Sequence, residues 1–144
     1  MTAAVDAPGG AGGAGGRFAD PRPGPELTAA LLGDPASLVG REVEAGLVGA
    51  FRAANHAAWA RCRWLLEACC ARAGRTARVG LEARAALIAA AALHWSPSMA
   101  AARVEFARQV LVRLPALGEQ MRLGLLEERR AEIIVNTVRE LDDA

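Results

Sequence analysis

The chain has 144 residues and a formal net charge of +1, from 17 basic and 16 acidic side chains. This length allows one domain with one hydrophobic core. Non-specific nucleic-acid binding depends on clustered positive charge, so the balanced charge argues against binding by bulk electrostatics. Alanine, leucine, arginine and glutamate are abundant, whereas tyrosine is absent and β-branched residues are few. This composition favours helices over strands and predicts an all-α helical bundle.

Glycine and proline are concentrated in residues 1–25, which predicts a disordered Gly/Pro-rich tail ahead of a helical domain at residues 26–144. The tail contains no apolar stretch of signal-peptide length. The apolar run Ala85–Leu93 is shorter than the about 20 residues that a membrane-spanning helix needs. We therefore expect a cytoplasmic protein with no membrane partner.

The predicted helical domain opens with a short helix from Glu26 to about Pro35, followed by a long N-terminal helix from about Ser37 to Arg72. Gly74 is the expected stop for the long helix, and residues 75–80 form the expected linker. Apolar side chains recur along the long helix at helical spacing and predict one buried stripe. Its members are Val43, Leu47, Phe51, Ala54, Ala58, Cys62, Leu65 and Cys69.

All three cysteines, Cys62, Cys69 and Cys70, fall in this long helix. Neighbouring cysteines on a helix do not bridge easily and the count is odd, which argues against a disulfide framework. A metal or redox site is one alternative. The favoured interpretation is that they serve as small apolar side chains in a reduced compartment.

Four helices are predicted in the second half of the chain, at about Leu81–His94, Pro97–Leu114, Ala116–Leu125 and Glu127–Leu141. Ser96 can cap the second of these, and a proline at the first helical position suits the helix start. The second helix has one apolar stripe at Ala100, Val104, Ala107, Leu111 and Leu114, and a further apolar side at Met99, Phe106 and Val110. The expected apolar set of the last helix is Ile133, Ile134, Val138 and Leu141.

The segment 81–114 has the pattern of a helix-turn-helix hairpin, in which the early residues of the second helix can contact DNA bases. Those residues would be Ser98, Ala101, Ala102 and Arg103. However, the arginines of this helix recur every five residues and so spread around it instead of forming one basic face. A structural hairpin is therefore favoured over a DNA reader. If DNA is contacted directly, the candidate residues are Ser98, Arg103 and Arg108.

A second constellation, Arg52, His56, Trp59 and Arg63, lies at helical spacing on the long helix. Arginine binds phosphate bidentately and tryptophan stacks on bases, so a nucleic-acid-binding ridge is one interpretation. The favoured alternative is a helix-packing tryptophan flanked by solvated charges.

Motifs for catalysis are missing from the sequence. The two histidines are far apart, and there is no phosphate-binding glycine loop, zinc-finger cysteine pair or His-Glu-x-x-His helix. We predict no catalytic residue, no metal and no cofactor.

The last 65 residues carry short motifs in a fixed order: a Ser-Pro helix start, a Leu-Pro helix start, and an Arg-Ala helix. In this order and spacing, the chain from about residue 80 resembles the bacterial 13E12 repeat family, a domain of unknown function (number 222) found ahead of HNH endonuclease modules, mostly in actinobacteria. The residues that carry the resemblance are Ala92–Pro97, Ala101–Val104, Ala107–Arg108, Arg113–Ala116, Gly124–Leu126, Glu128–Ala131 and Leu141–Asp143.

The resemblance implies a helical domain whose nuclease chemistry resides in a separate HNH module with its own metal-binding histidines. The sequence ends at Ala144, so none of that module's catalytic residues has a counterpart here. We therefore expect a non-catalytic accessory domain that supports DNA engagement or assembly of a nuclease, with DNA or a nuclease module as partner. The alternatives are a protein–protein interaction module, including a homo-oligomer, and a truncated remnant without retained function.

Overall fold

The computed structural model describes residues 22–70 and 81–142, which form helices joined by short turns, with no strand in these ranges. This confirms the predicted all-α bundle. Its helices are α1 (Pro25–Leu31), α2 (Arg41–Cys70), α3 (Leu81–Leu93), α4 (Pro97–Arg108), α5 (Pro115–Arg122) and α6 (Glu128–Asp142), with a 3-10 turn at Pro35–Ser37 and a π-helical turn at Gln109–Arg113.

Parts of the predicted organisation lie outside the described residues. These are most of the Gly/Pro-rich tail, the expected stop at Gly74 and the linker at residues 75–80. The division into a tail and a helical domain stays a prediction.

Several helix boundaries differ from their predicted positions: α1 ends at Leu31 instead of about Pro35, and α5 ends at Arg122 instead of about Leu125. Helix α2 begins at Arg41 instead of Ser37, because Gly40 takes a left-handed conformation (φ 54°) that interrupts the helix. The predicted helix Pro97–Leu114 keeps its length, but its last turn is π-helical, with the Leu114 N–H donating to the Gln109 carbonyl oxygen at 2.8 Å.

The hydrophobic core lies where α2, α3 and α4 pack together and is closed by α5 and α6. Most of its side chains are small, so the helix backbones approach closely. The core residues are Ala58, Cys62, Leu65, Ala85, Ala86, Ala89, Ala100, Val104, Phe106, Ala107, Val110, Met121, Ala131 and Val135.

Only part of the stripe predicted on α2 is buried. Ala58, Cys62 and Leu65 belong to the core, as predicted. The N-terminal members Val43, Leu47, Phe51 and Ala54 are exposed, so this half of the prediction is wrong. The reason is length, because a 30-residue helix is about 45 Å long and extends beyond the shorter helices that cover its other half. The side chain of Cys69 lies outside the described residues.

The buried side of α6 also differs from the prediction. Ala131 and Val135 enter the core, whereas Ile133, Ile134 and Leu141 are exposed. Alanine at the contact lets α6 approach its neighbours closely, so the helix is turned with its small residues inward. Hydrophobicity alone does not reveal this choice.

The turn after α5 is held by polar side chains of α2. The buried Asn55 donates from Nδ2 to the Gly124 carbonyl oxygen at 3.0 Å. The Nδ1 atom of His56 lies 2.7 Å from the Arg122 carbonyl oxygen, which can only accept, so this nitrogen carries the proton. Both bonds satisfy carbonyl groups left without partners by the end of α5.

The glycine in this turn gives a test of the α2–α5 contact. Gly124 has φ 75°, and a Cβ there would lie 2.7 Å from the Arg52 carbonyl oxygen. We expect Gly124→Ala to lower the free energy of unfolding by about 2–3 kcal/mol, through backbone strain plus the clash. Urea denaturation followed by circular dichroism measures this.

The matched control is Gly40→Ala. Gly40 also has a positive φ, 54°, but no atom lies within 4 Å of the position that a Cβ would take there. Only the strain of roughly 1 kcal/mol should appear in this variant. Equal losses in the two variants would contradict the close approach of α2 to the turn.

A second prediction concerns the buried thiol of Cys62. Burial raises its pKa from 9.0 to about 11, with the nearby Glu128 carboxylate adding to the effect. The unfolded chain therefore loses this proton at lower pH than the folded chain, and the folded state loses stability as pH rises from 9 to 11. The chain has neither lysine nor tyrosine, so cysteines dominate titration in this window.

We expect the free energy of unfolding to fall by roughly 2 kcal/mol more in the wild type than in Cys62→Ala between pH 9 and 11. Urea denaturation at several pH values measures the difference. The other two cysteines are present in both proteins and cancel. Identical slopes would show that Cys62 is not buried as described.

Candidate interaction surface on helices α4 and α6

The hairpin of α3 and α4 is set by local backbone chemistry. His94 ends α3 in a left-handed conformation (φ 54°), and the Trp95 N–H donates back to the Ala90 carbonyl oxygen at 3.1 Å. Ser96 Oγ accepts from the Met99 N–H at 3.2 Å, which confirms the predicted cap. The chain bends by 120° between the two helices. This angle is within the range of helix-turn-helix motifs.

Arg103 on α4 is held between two carboxylates of α6. Its Nη1 atom lies 3.1 Å from Glu128 Oε1 and also pairs with Glu132. Arg61 of α2 completes the group, with Nη2 at 2.7 and 2.6 Å from the two oxygens of Glu128. These charge-assisted bonds tie α2, α4 and α6 together at one place. We call Arg61, Arg103, Glu128 and Glu132 the arginine–carboxylate cluster.

Arg108, the second predicted arginine, is paired as well. It donates to both oxygens of Glu105 at 2.9 and 2.8 Å, and it lies 3.2 Å from Glu82 of α3. Donation from Arg108 holds the pKa of the Glu105 carboxyl below its ordinary value. The pair therefore stabilises the folded chain above the ordinary carboxyl pKa, and this contribution is lost as pH falls through the lowered pKa.

An open groove of about 580 Å³ runs between α4 and α6. Its apolar floor includes Phe106 and Val135, and polar side chains from both helices line its walls. The polar lining includes Ser98, Arg103, Gln109, Glu132, Asn136 and Arg139. The lining holds two arginines, Arg103 and Arg139, and two carboxylates, Glu105 and Glu132, so the groove is not a basic channel suited to a phosphate backbone.

Sequence reasoning missed Gln109. This side chain is buried at the start of the π-helical turn, where it donates to Glu105 Oε1 at 2.6 Å and accepts from Arg113 Nη1 at 3.3 Å. Interruptions of this kind are frequent at functional sites. No local sequence signal marks the π turn. A polar residue among apolar neighbours at helical spacing could have drawn attention to Gln109, and equally to Asn55.

The structure brings together two of the three candidate DNA contacts. Ser98 and Arg103 both line the groove, whereas Arg108 lies outside its lining. Ser98 is exposed, with its Oγ 3.2 Å from that of Ser96. DNA contact by these three residues stays a prediction.

The constellation on α2 agrees with the helix-packing interpretation. The indole of Trp59 packs against the core and lies 5.2 Å from the His56 ring, centroid to centroid. The guanidinium carbon of Arg63 lies 5.3 Å from the centre of the Trp59 ring, in reach of a cation–π contact. His56 is occupied by the turn after α5, so this face joins α2 to its neighbours.

Helix α6 carries three large aliphatic side chains that are exposed among polar neighbours such as Arg130 and Thr137. Ile133 is 55 % exposed and Leu141 is 72 % exposed, and Ile134 lies beside them. We call these three residues the α6 face. Large aliphatic side chains grouped on one helix side commonly mark an interaction surface.

Two further observations bear on the class of the protein. Within residues 22–70 and 81–142, no three His, Cys, Asp or Glu side chains gather in a way that could hold a metal ion. Taken singly, none of the described helices is long and apolar enough to cross a membrane, and α3 with α4 reaches that length only as a bent pair.

The fold and the surface define a helical bundle built around a hairpin, with arginine–carboxylate clamps between its helices. The family model named Domain of unknown function (DUF222) matches residues 42–144, and the chain belongs to this family. The match covers α2 to α6, and α1 precedes it. No curated protein and no solved structure matches the chain.

Proposed function

We propose that the chain is a non-catalytic accessory module that assembles with an HNH nuclease module, and that the α6 face forms the contact. The observation that carries this proposal is the exposure of Ile133, Ile134 and Leu141 on α6. In the 13E12 family, which the sequence resembles, a nuclease module follows the helical part. In chain order, α6 is the last described helix, so a module that follows the helical part would come after α6.

The charge distribution supports an apolar contact over an electrostatic one. Arg103 and Arg108 are each paired with two carboxylates of the bundle. Charges that are already matched inside the bundle contribute little to a new partner, because breaking each pair costs desolvation and lost hydrogen bonds. The exposed aliphatic side chains of the α6 face can be buried against a partner without breaking an ion pair.

A binding experiment tests the proposal. The HNH module of a DUF222-containing protein is titrated with the chain by isothermal titration calorimetry. We expect complex formation with a negative heat-capacity change, because apolar area is removed from water. Ile133→Glu should weaken binding by at least about tenfold, since it places a charge at the centre of the contact.

Leu87→Glu is the matched control, because Leu87 is 66 % exposed and belongs to α3, not α6. This variant should bind as the wild type does. Absence of binding by the wild-type chain, or equal loss in both variants, would overturn the proposed contact.

A second candidate function is direct contact with DNA through the α3–α4 hairpin. The specific observation in its favour is the 120° bend together with three exposed residues in the first two turns of α4, Ser98, Ala101 and Ala102. The second helix of such a hairpin enters the major groove with these early residues. The net charge of +1 weighs against strong binding.

If this candidate is correct, Arg103→Ala should weaken binding to duplex DNA and lower the salt dependence by about one released ion. Fluorescence anisotropy over a salt series measures both effects. Arg61→Ala is the control, because it removes the other arginine on Glu128 without touching the groove. Unchanged binding in Arg103→Ala, or the same loss in Arg61→Ala, would exclude the hairpin as the DNA-binding element.

The third possibility, a truncated remnant, has its own signature. A remnant would expose its core and unfold without cooperativity, whereas an intact module unfolds in one transition. The urea denaturation used for the glycine variants distinguishes the two.

A further inference from the structure

The exposed half of α2 has features that the proposed contact on α6 does not use. Four large apolar residues lie there within nine positions: Val43, Leu47, Val48 and Phe51. Leu47 is 72 % exposed, and each of the other three is close to half exposed. We call these four residues the α2 patch.

The α2 patch continues a stripe that is already an interface. Leu47 and Phe51 lie at helical spacing with Ala58, Cys62 and Leu65, which the bundle buries. The same side of one helix is therefore covered in its C-terminal half and open in its N-terminal half. An apolar stripe of this kind is typical of a helix that packs along its whole length.

The size of the α2 patch suits a protein interface. Its four side chains leave roughly 400 Å² of apolar surface open, comparable to the largest patch on a typical monomer. A standard interface buries about 800 Å² on each partner, somewhat more than half of it apolar. The α2 patch thus provides about the apolar area that one side of such an interface needs.

The spacing within the α2 patch is self-complementary. Val43 and Phe51 lie four residues before and after Leu47. A two-fold axis passing at Leu47 would therefore place Leu47 against Leu47 of a second copy, and each Val43 against the other copy's Phe51. The Val43–Phe51 contact would therefore occur twice, once in each half of the interface. This reciprocity is what an isologous interface requires.

The charges at the ends of the α2 patch favour an antiparallel arrangement. Residues 45–51 carry no charge, and Glu44 and Arg52 border them. In an antiparallel pair centred on Leu47, Glu44 lies within two residues, about 3 Å of helix rise, of the level of Arg52 in the other copy. A parallel pair would instead place Glu44 at the level of Glu44 and Arg52 at the level of Arg52, without bringing opposite charges to the same level.

A shallow apolar groove adjoins the α2 patch and can take a side chain from a second copy. It has a volume of about 310 Å³ and lies between α2 and the segment from α1 to the 3-10 turn. Its lining includes Leu31, Leu38, Val43 and Leu47. Val43 and Leu47 thus belong to both the groove and the α2 patch, which joins them into one surface.

From these observations we propose that a second copy of the chain covers the α2 patch, forming an antiparallel, two-fold symmetric helix pair centred on Leu47. The proposal rests on α2 and is independent of the contact proposed on α6.

Sedimentation velocity of the full chain over a wide concentration range tests the proposal. We expect a monomer–dimer equilibrium in the wild type. Leu47→Glu should raise the dimer dissociation constant by at least about tenfold, because two carboxylates would meet at the axis. Leu87→Glu, an equally exposed leucine on α3, should dimerise as the wild type does.

Mixing charge variants makes the test specific to the two-fold axis. Leu47→Arg alone should also remain monomeric, whereas an equimolar mixture of Leu47→Glu and Leu47→Arg should form a heterodimer, since opposite charges then meet. A variant that merely unfolds would not be rescued in this way. A wild-type chain that stays monomeric, or a dimer that survives Leu47→Glu, would overturn the proposal.

The two proposals fail independently. Ile133→Glu should leave the dimer intact, and Leu47→Glu should leave binding of the HNH module intact. Loss of the dimer in Ile133→Glu would show that α6, not α2, joins the two copies.

Discussion

The structure depends on the contact between the C-terminal half of α2 and the hairpin formed by α3 and α4. This contact is made mostly by small side chains, since Ala58 and Cys62 of α2 share one core with alanines of both hairpin helices. Each small residue buries little apolar area and so contributes little free energy, about 0.8 kcal/mol per methylene-sized group. Small residues do, however, let helix backbones approach closely. The bundle therefore combines close helix contacts with a few large core side chains such as Leu65 and Met121, while other large aliphatic residues remain exposed.

A core built in this way needs polar contacts to fix the rotation of its helices. The arginine–carboxylate cluster does this for α6, because Glu128 and Glu132 must both face Arg103. The hydrogen bonds of Asn55 and His56 do the same for the turn after α5. These contacts are partly buried and well matched, so they specify geometry more than they add net stability.

The sequence predicted the features that are local in the chain. The Ser96 cap and Pro97 indicated the start of α4, since capping chemistry depends only on neighbouring residues. The partners of Arg103 could not be predicted, because Glu128 and Glu132 lie 25 and 29 residues away. Periodicity also could not decide which members of an apolar stripe are covered. Coverage depends on helix lengths and on how each helix is turned, which periodicity does not contain. The periodic pattern therefore predicted burial of Val43 and Leu47 on α2 and of Ile133 on α6, although all three are exposed.

These misplacements bear on function. An exposed group of apolar side chains on a helix is a common feature of surfaces that a partner covers. The arginines of α4 are matched within the chain, while the aliphatic residues on the first half of α2 and the outer side of α6 are not covered by any described element. An apolar stripe that the bundle leaves partly uncovered is the kind of surface that a protein partner covers. The two uncovered surfaces lie on different helices, so the two contacts proposed above would use separate places on the chain.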